Sequence, residues 1–263
     1  MSAPLGLPAG IGDEHFEGAN QNSKEKIKEN EAEDALCERN RRWEMASKAR
    51  MREIVSGLFL GNVKASYDQQ MLRENRINAM ISLTDARWVW WNSNTREAGI
   101  PESQHKWVQC ADSSTQDLLA HMNDICDFID QMASPALKSS STLPIEQDYG
   151  LSGKPQDARS GAVLVHCDLG ISRSPTIVIA YLMRKYSAKR ENVLTFIQSK
   201  QKVKPSANFI RQLEVWEQVG YQVWEDEEKT VPKASYQAFL DDRAVILKSK
   251  GLTGNESLAP QNL

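Results

Sequence analysis

Residues 162–176 read A-V-L-V-H-C-D-L-G-I-S-R-S-P-T, and this stretch decides both the fold and the candidate chemistry. Residues 162–165 are an uninterrupted apolar run, which is typical of a strand at the centre of a parallel sheet. Residues 175–186 are apolar on nearly every side and predict a buried helix, whose first turn tolerates Pro175. The residues between them therefore form a loop at the carboxyl edge of a sheet, where open α/β folds bind their ligands.

This loop is expected to bind an anion and to carry a nucleophile. A helix N-terminus presents backbone N–H groups that lack helical partners, together with the positive end of the helix dipole. These groups can curl around one phosphate, and the same field stabilises a thiolate at Cys167. Arg173 offers a planar fork that suits two phosphate oxygens, and Gly170 permits the tight backbone path. The predicted phosphate-binding residues are Asp168, Leu169, Gly170, Ile171, Ser172 and Arg173.

The alternation of strands and helices predicts an α/β domain over residues 51–222. Its expected core is a central, mostly parallel sheet of about five strands, flanked by helices. Predicted strands or strand–turn segments cover residues 54–62, 77–83, 106–110 and 162–165. Predicted helices cover residues 68–76, 118–132, 175–186, 188–201 and 206–219.

Three segments do not follow this pattern. Residues 134–160 are rich in Ser, Pro, Gly and Gln, so they predict a disordered insertion that supplies no core. Residues 1–50 are an extension in which charges of both signs alternate; it reads either as a solvated surface helix or as a partner-binding helix. Residues 223–263 read as a polar tail with one weak helix between residues 233 and 250. The extensions are thus expected to be disordered or helical.

The composition narrows the classes of protein. The 263-residue chain has a formal net charge of −3, which gives no reason to expect nucleic-acid binding. No apolar run is long enough to span a bilayer, and the first residues do not resemble a secretory signal. The cysteines, at positions 37, 110, 126 and 167, form no C-x-x-C pair, which argues against a disulfide framework or a zinc site. We therefore expect a protein of a reducing compartment, cytoplasmic or nuclear.

The motif His166-Cys167-x-x-Gly170-x-x-Arg173-Ser174 resembles the signature loop of the protein tyrosine phosphatase superfamily. Its continuation S-R-S-P-T is similar to that of the dual-specificity phosphatases in particular. The resemblance extends from Ile54 to Gln218 and includes G-L-F-L-G-N at 57–62, I-S-L-T at 81–84 and N-F-I-R-Q-L at 208–213. It assigns residues 51–222 to a phosphatase catalytic domain.

The resemblance also implies roles for individual residues. Cys167 would attack phosphorus and form a phosphocysteine, while Ser174 would stabilise the thiolate as the leaving group of the second step. A carboxylate after a neighbouring strand would act as the general acid and later as the base. Asp112 fits that place, and Asp117 is the second candidate. Asp168 departs from the pattern, because its carboxylate next to the nucleophile would repel a dianion; we expect it to affect substrate choice.

The function implied is hydrolysis of phosphotyrosine, and of phosphoserine or phosphothreonine, in proteins without a metal or organic cofactor. Two alternatives stay open: a phosphoinositide or nucleotide phosphatase, and a phosphate-binding scaffold without turnover. The partners implied are a phosphorylated protein substrate and a signalling kinase or its target, with no nucleic acid and no membrane span. His166 is expected to have a structural role, because adjacent residues of a strand point to opposite faces and it cannot easily serve Cys167 as a base.

Overall fold

The computed structural model describes residues 37, 40, 44, 47–86, 91–144, 161–254 and 256. The chain divides into two compact units, Met1–Met45 and Ala46–Leu263. In the first unit, Cys37, Asn40 and Glu44 are described; they are helical and exposed. The two predictions for the extension, a solvated surface helix or a partner-binding helix, otherwise concern residues outside the described ones.

A mixed sheet forms the centre of the second unit. Its strands within the described ranges are β1 (Met51–Val55), β2 (Leu58–Asn62), β3 (Ile77–Thr84), β4 (His105–Gln109) and β5 (Ala162–Cys167), in the spatial order β1-β2-β5-β3-β4. Strand β1 is antiparallel to β2, and every other neighbouring pair is parallel. The predicted mostly parallel α/β sheet is therefore confirmed, and the predicted strand–turn segment 54–62 is the second half of a β1–β2 hairpin.

The predicted helices lie close to their expected positions, and helices at residues 91–97 and 135–139 are not among the predictions; all of them flank the sheet. They are α1 (Gln69–Glu74), α2 (Trp91–Glu97), α3 (Leu119–Met132), α4 (Pro135–Ser139), α5 (Arg173–Tyr186), α6 (Arg190–Lys200), α7 (Ala207–Gln218) and α8 (Ala234–Ser249), with a 3₁₀ turn at Glu102–Gln104. Every residue of β5 is buried, because it has strand neighbours on both sides and helices on both faces. Helix α5 is buried from Arg173 to Met183, in agreement with the buried helix predicted from the apolar run that follows Thr176.

The prediction that residues 134–160 supply no core is wrong for their first part. Helix α4 forms there, with Ser134 accepting a hydrogen bond from Leu137 N at 3.1 Å and Pro135 in the first turn. Leu137 is buried in the main core. One capping serine and one buried leucine stabilise this short helix. The average composition of the whole segment does not show the effect of two individual residues. Residues 145–160 lie outside the described residues.

The prediction of a polar tail from residue 223 onwards is wrong for residues 234–249. Helix α8 forms where a weak helix is expected, but Tyr236 and Phe239 lie in the main core and Leu247 is also buried. Apolar residues at helical spacing supply this buried stripe although the segment is polar on average. Within the described ranges, no helix is both long and apolar enough to cross a bilayer.

Candidate active site

The loop from Asp168 to Ser172 lies at the carboxyl end of the central strand and leads directly into α5. Cys167 is the last residue of β5, where it pairs with Asn62 on β2 and Leu83 on β3. Its position is buried, with 2% of the residue exposed. A cysteine is thus held at the floor of a loop that opens at a helix N-terminus.

The carbonyl groups of the loop are turned outwards. Every carbonyl from Asp168 to Ser172 accepts a hydrogen bond from a group around the loop. In chain order the donors are Val63 N at 3.2 Å, Arg50 Nη2 at 3.0 Å, Gln201 Nε2 at 3.2 Å, Lys204 N at 2.8 Å and Thr176 Oγ1 at 2.7 Å. Because the peptide unit is planar and trans, an outward carbonyl turns the next N–H inwards. The N–H groups of residues 169–173 therefore converge on the interior, which is the geometry of an anion-binding nest.

Glycine is required at position 170 of this loop. Gly170 has φ +70°, a conformation that residues with a Cβ rarely adopt. A Cβ added there would lie 2.6 Å from the carbonyl oxygen of Gly61 on β2. The loop therefore approaches the neighbouring strand more closely than any other residue permits.

Two donors point at the Cys167 sulfur. Gly170 N lies 3.3 Å from Sγ, and the Ser174 hydroxyl donates to the same atom at 3.2 Å. Both donors can stabilise negative charge that builds up on this sulfur. The structure thus brings together Cys167, Gly170 and Ser174 as the motif predicts.

Arg173 is buried beside the loop. Its Nη1 donates to the carbonyl of Cys110 at 2.9 Å, and its Nη2 donates to Asp168 Oδ2 at 2.5 Å. Its Nε is buried with no hydrogen-bond partner among the described residues. Burial lowers the pKa of Arg173, but the negative charges of Cys167 and Asp168 outweigh burial and raise it overall, so the guanidinium stays charged. A fixed positive charge with an unsatisfied donor therefore faces this site.

The two candidate acids occupy different surroundings. Asp112 is exposed on the loop between β4 and α3, and its Oδ1 accepts a hydrogen bond from Ser172 at 3.1 Å. Asp117 accepts hydrogen bonds from Ala120 N at 3.4 Å and from the Tyr236 hydroxyl at 2.9 Å. The structure therefore brings Asp112 to the loop, whereas Asp117 is engaged at the start of α3.

His166 lies behind the loop in a buried polar chain. Its Nε2 is 2.6 Å from the Ser82 hydroxyl, which is also 2.8 Å from His105 Nε2. Burial, with a smaller effect from His105, lowers the pKa of His166 to about 3. A neutral imidazole bonded to Ser82 agrees with the expected structural role.

Sequence reasoning missed the residues that support the loop from outside. Asn62 is buried; its Oδ1 accepts from Arg50 N at 3.0 Å and from Ala65 N at 3.1 Å, and its Nδ2 donates to the Lys48 carbonyl at 2.7 Å. This network fixes the segment from which Arg50 reaches the Leu169 carbonyl. The sequence offers one sign of the role of Asn62, which is a polar residue shortly after the apolar run at 58–60. No sequence pattern indicates the role of Arg50.

Comparisons with known proteins agree with the motif. The family model "Dual specificity phosphatase, catalytic domain" matches residues 155–219. Dual specificity protein phosphatase 1 of Arabidopsis thaliana is 30% identical over 162 residues, which are 61% of this chain and 66% of that protein. Tyrosine-protein phosphatase yvh1 of Schizosaccharomyces pombe is 35% identical over 125 residues, 47% of this chain and 31% of that protein.

A third relative is dual specificity protein phosphatase MPK-4 of Drosophila melanogaster, 30% identical over 65% of this chain and 37% of that protein. The chain thus spans less than two thirds of the length of each of these three relatives. Among solved structures, the Yvh1 phosphatase domain of Chaetomium thermophilum is 27% identical, with a TM-score of 0.49 over 65% of this chain and 96% of that one. The family match over residues 155–219 and these relatives support a dual-specificity phosphatase domain of the cysteine-dependent protein tyrosine phosphatase superfamily in this chain.

Proposed function

We propose that this protein hydrolyses phosphotyrosine, and phosphoserine or phosphothreonine, in proteins through a phosphocysteine intermediate. The observation that carries the proposal is the environment of the Cys167 sulfur. It accepts hydrogen bonds from Gly170 N and the Ser174 hydroxyl, beneath inward-facing N–H groups and beside buried Arg173. A phosphate bound in this nest has its phosphorus next to a thiolate.

In the first step the Cys167 thiolate forms a bond to phosphorus as the bond from phosphorus to the leaving oxygen breaks. Backbone N–H groups and Arg173 stabilise the charge on the equatorial phosphate oxygens, which is electrostatic catalysis by preorganised donors. Asp112 gives its proton to the leaving oxygen, so the product departs as a neutral hydroxyl compound. The position of Asp112 against Ser172 supports this assignment, since Ser172 belongs to the loop itself.

In the second step Asp112, now a carboxylate, takes a proton from a water molecule whose oxygen attacks phosphorus. The S–P bond breaks, inorganic phosphate forms and the thiolate returns. Ser174 donates its hydrogen bond to the sulfur as negative charge builds up on it, which lowers the barrier to this departure. Donors of the protein supply all the charge stabilisation, so no step is assigned to a metal or cofactor.

Two features weigh against the alternative functions. A phosphoinositide or nucleotide substrate carries several phosphates, yet Asp168, Leu169, Ile171 and Ser172 add no positive side chain to the loop. A phosphate-binding scaffold without turnover needs no nucleophile, yet Cys167 is held at the floor of the loop with two donors directed at its sulfur. We further propose that the protein acts in the cytoplasm or nucleus, on a signalling kinase or a target of one, because a thiolate nucleophile requires a reducing compartment.

The proposal is tested with a panel of phosphopeptides, phosphoinositides and nucleotides, assayed with the wild type and with Cys167→Ser. We expect phosphate release from the phosphopeptides by the wild type alone, and phosphate on Cys167 in acid-quenched wild-type protein by mass spectrometry. Hydrolysis by Cys167→Ser would refute the nucleophile. A preference for phosphoinositides or nucleotides would refute the protein substrate.

A further inference from the structure

The loop that carries Asp112 contains no helix or strand residues. It joins β4 to α3, and its internal bonds include one from Ala111 N to Gln116 Oε1 at 2.9 Å. On one side α7 holds it, because Asn208 Nδ2 donates to the carbonyls of Ser113 at 2.9 Å and Gln116 at 2.8 Å. The position of Asp112 therefore depends on the helices around the loop.

On the other side the loop is contacted by α8, a helix that lies beyond the residues matched by the family model. Three polar side chains from this segment reach the loop. The contacts run from the Tyr236 hydroxyl to Asp117 Oδ2 at 2.9 Å, from Arg243 Nε to the Thr115 carbonyl at 2.6 Å, and from Lys250 Nζ to Ser114 Oγ at 2.7 Å.

The spacing of these three residues matches the helix. Tyr236, Arg243 and Lys250, the last of them the C-cap, follow each other at intervals of seven residues. Seven residues are about two turns and about 10 Å along the axis, so the three side chains lie on one face. Their partners in the loop are Asp117, Thr115 and Ser114 in that order, and Ser114 is two residues from Asp112.

Helix α8 is itself firmly docked. Tyr236 is 2% exposed, and its ring meets the Trp224 ring edge-on, with centroids 5.3 Å apart. The Phe239 ring stacks on the other side at 6.4 Å, and Arg211 of α7 pairs with Asp242 of α8. The helix is thus a fixed support for the groups that it presents to the loop.

Packing contacts do not fill the remaining space. An open cleft of about 480 Å³ lies between the loop and α8, and its lining includes Ser113, Thr115, Arg243 and Leu247. Side chains that do not touch across this cleft contribute no van der Waals attraction there. The polar contacts of Tyr236, Arg243 and Lys250 link α8 to the loop beside it.

We propose that α8 is a positioning element of the catalytic site, in which Tyr236 and Arg243 hold the 111–117 loop so that Asp112 reaches the leaving oxygen. The inference rests on the proposed function, in which Asp112 is the general acid. Neither residue touches the substrate; each acts through the loop. The catalytic unit accordingly includes a helix outside the family-matched residues.

The experiment compares kcat/KM for two aryl phosphates in the wild type and Tyr236→Phe. Phenyl phosphate has a basic leaving group that needs a proton, whereas 2,4-dinitrophenyl phosphate has a leaving group that departs without one. We expect Tyr236→Phe to lower kcat/KM about 5- to 20-fold for phenyl phosphate and less than about 2-fold for 2,4-dinitrophenyl phosphate. A purely structural loss would lower both by the same factor.

Two matched controls separate positioning from general damage. Tyr181→Phe removes a similar buried tyrosine–aspartate bond, from Tyr181 to Asp130 at 2.8 Å, and should leave the ratio of the two rates unchanged. If Tyr236→Phe folds poorly, Arg243→Met replaces it, with Lys248→Met as the exposed control on the same helix. In an Asp112→Asn background, neither loop-contact variant should change the ratio further, because positioning acts only through Asp112.

The outcomes distinguish this inference from the proposed function. An active wild type whose rate ratio stays the same in Tyr236→Phe and Arg243→Met overturns the inference alone, as does a further change of the ratio in the Asp112→Asn background. A wild type that hydrolyses neither aryl phosphate overturns the proposed function and this inference with it.

Discussion

Asp168 and Arg173 form an ion pair at the loop between β5 and α5, with Asp168 Oδ2 2.5 Å from Arg173 Nη2. The arginine side chain is 8% exposed and the aspartate side chain 39% exposed, so the pair joins a fixed cation to a more accessible anion. In the proposed mechanism a substrate phosphate needs the same guanidinium. A carboxylate and a phosphate therefore compete for one donor, which gives a physical basis to the expected influence of Asp168 on substrate choice.

We predict that Asp168→Asn binds phosphate more tightly than the wild type. Removing the competing charge should lower the inhibition constant of inorganic phosphate about 3- to 10-fold, equivalent to about 0.7–1.4 kcal/mol, since the pair is partly screened by solvent. The measurement is competitive inhibition of aryl phosphate hydrolysis. Asp124→Asn removes a surface ion pair with Lys229 and serves as the charge-matched control. Weaker phosphate binding by Asp168→Asn would mean that Asp168 orients Arg173 instead of competing for it.

Ser174 is predicted to act mainly in the second step. Its hydroxyl lies 3.2 Å from the Cys167 sulfur, and in the proposed mechanism it stabilises the departing thiolate. Ser174→Ala should therefore accumulate the phosphocysteine, giving a burst of leaving group in stopped-flow measurements and a kcat about 10- to 100-fold lower. Ser199→Ala, at an exposed position on α6, is the control. A Ser174→Ala variant with a normal kcat and no burst would contradict a role of Ser174 in the second step.

The chemistry of the loop could be predicted from the sequence because its residues are local. Cys167, Gly170, Arg173 and Ser174 lie within eight consecutive positions, and a buried strand and helix on either side fix how they face each other. The alternation of strands and helices along the chain could be predicted for the same reason, since each apolar run is recognised from its own residues.

The residues that hold the loops of the site in place could not be predicted, because their contacts join distant parts of the chain. Arg50 reaches the Leu169 carbonyl across 119 positions, and Tyr236 reaches Asp117 across 119 as well. Neither residue belongs to a motif. Average composition also concealed the burial of α8, which depends on a few aromatic residues such as Tyr236 and Phe239.

The difference between Asp112 and Asp117 gives a prediction about the general acid. Asp112→Asn keeps the size of the side chain and an acceptor for Ser172, but it cannot give a proton to the leaving oxygen. We expect kcat/KM for phenyl phosphate to fall about 10²- to 10⁴-fold, with the affinity for inorganic phosphate unchanged. Asp117→Asn keeps an acceptor for Tyr236 and should change the rate less than about 3-fold. A larger loss of kcat/KM in Asp117→Asn than in Asp112→Asn would identify Asp117 as the general acid.

His166 predicts how stability depends on pH. Burial lowers its pKa to about 3 in the folded protein, from 6.5 in an exposed histidine. Between these values the unfolded chain binds a proton that the folded protein does not, so the free energy of unfolding decreases as the pH falls below 6.5. The contribution is at most about 1.4 kcal/mol per pH unit.

The comparison that isolates this histidine uses His166→Gln, which has no titrating ring. Loss of the bond to Ser82 should make the variant less stable near pH 7, but its stability should fall less than that of the wild type between about pH 7 and about pH 5. Urea unfolding at several pH values measures both slopes, and carboxylates that titrate in both proteins cancel in the difference. Parallel slopes would show that His166 takes up its proton in the folded state as easily as in the unfolded chain, which contradicts a neutral imidazole behind the catalytic loop.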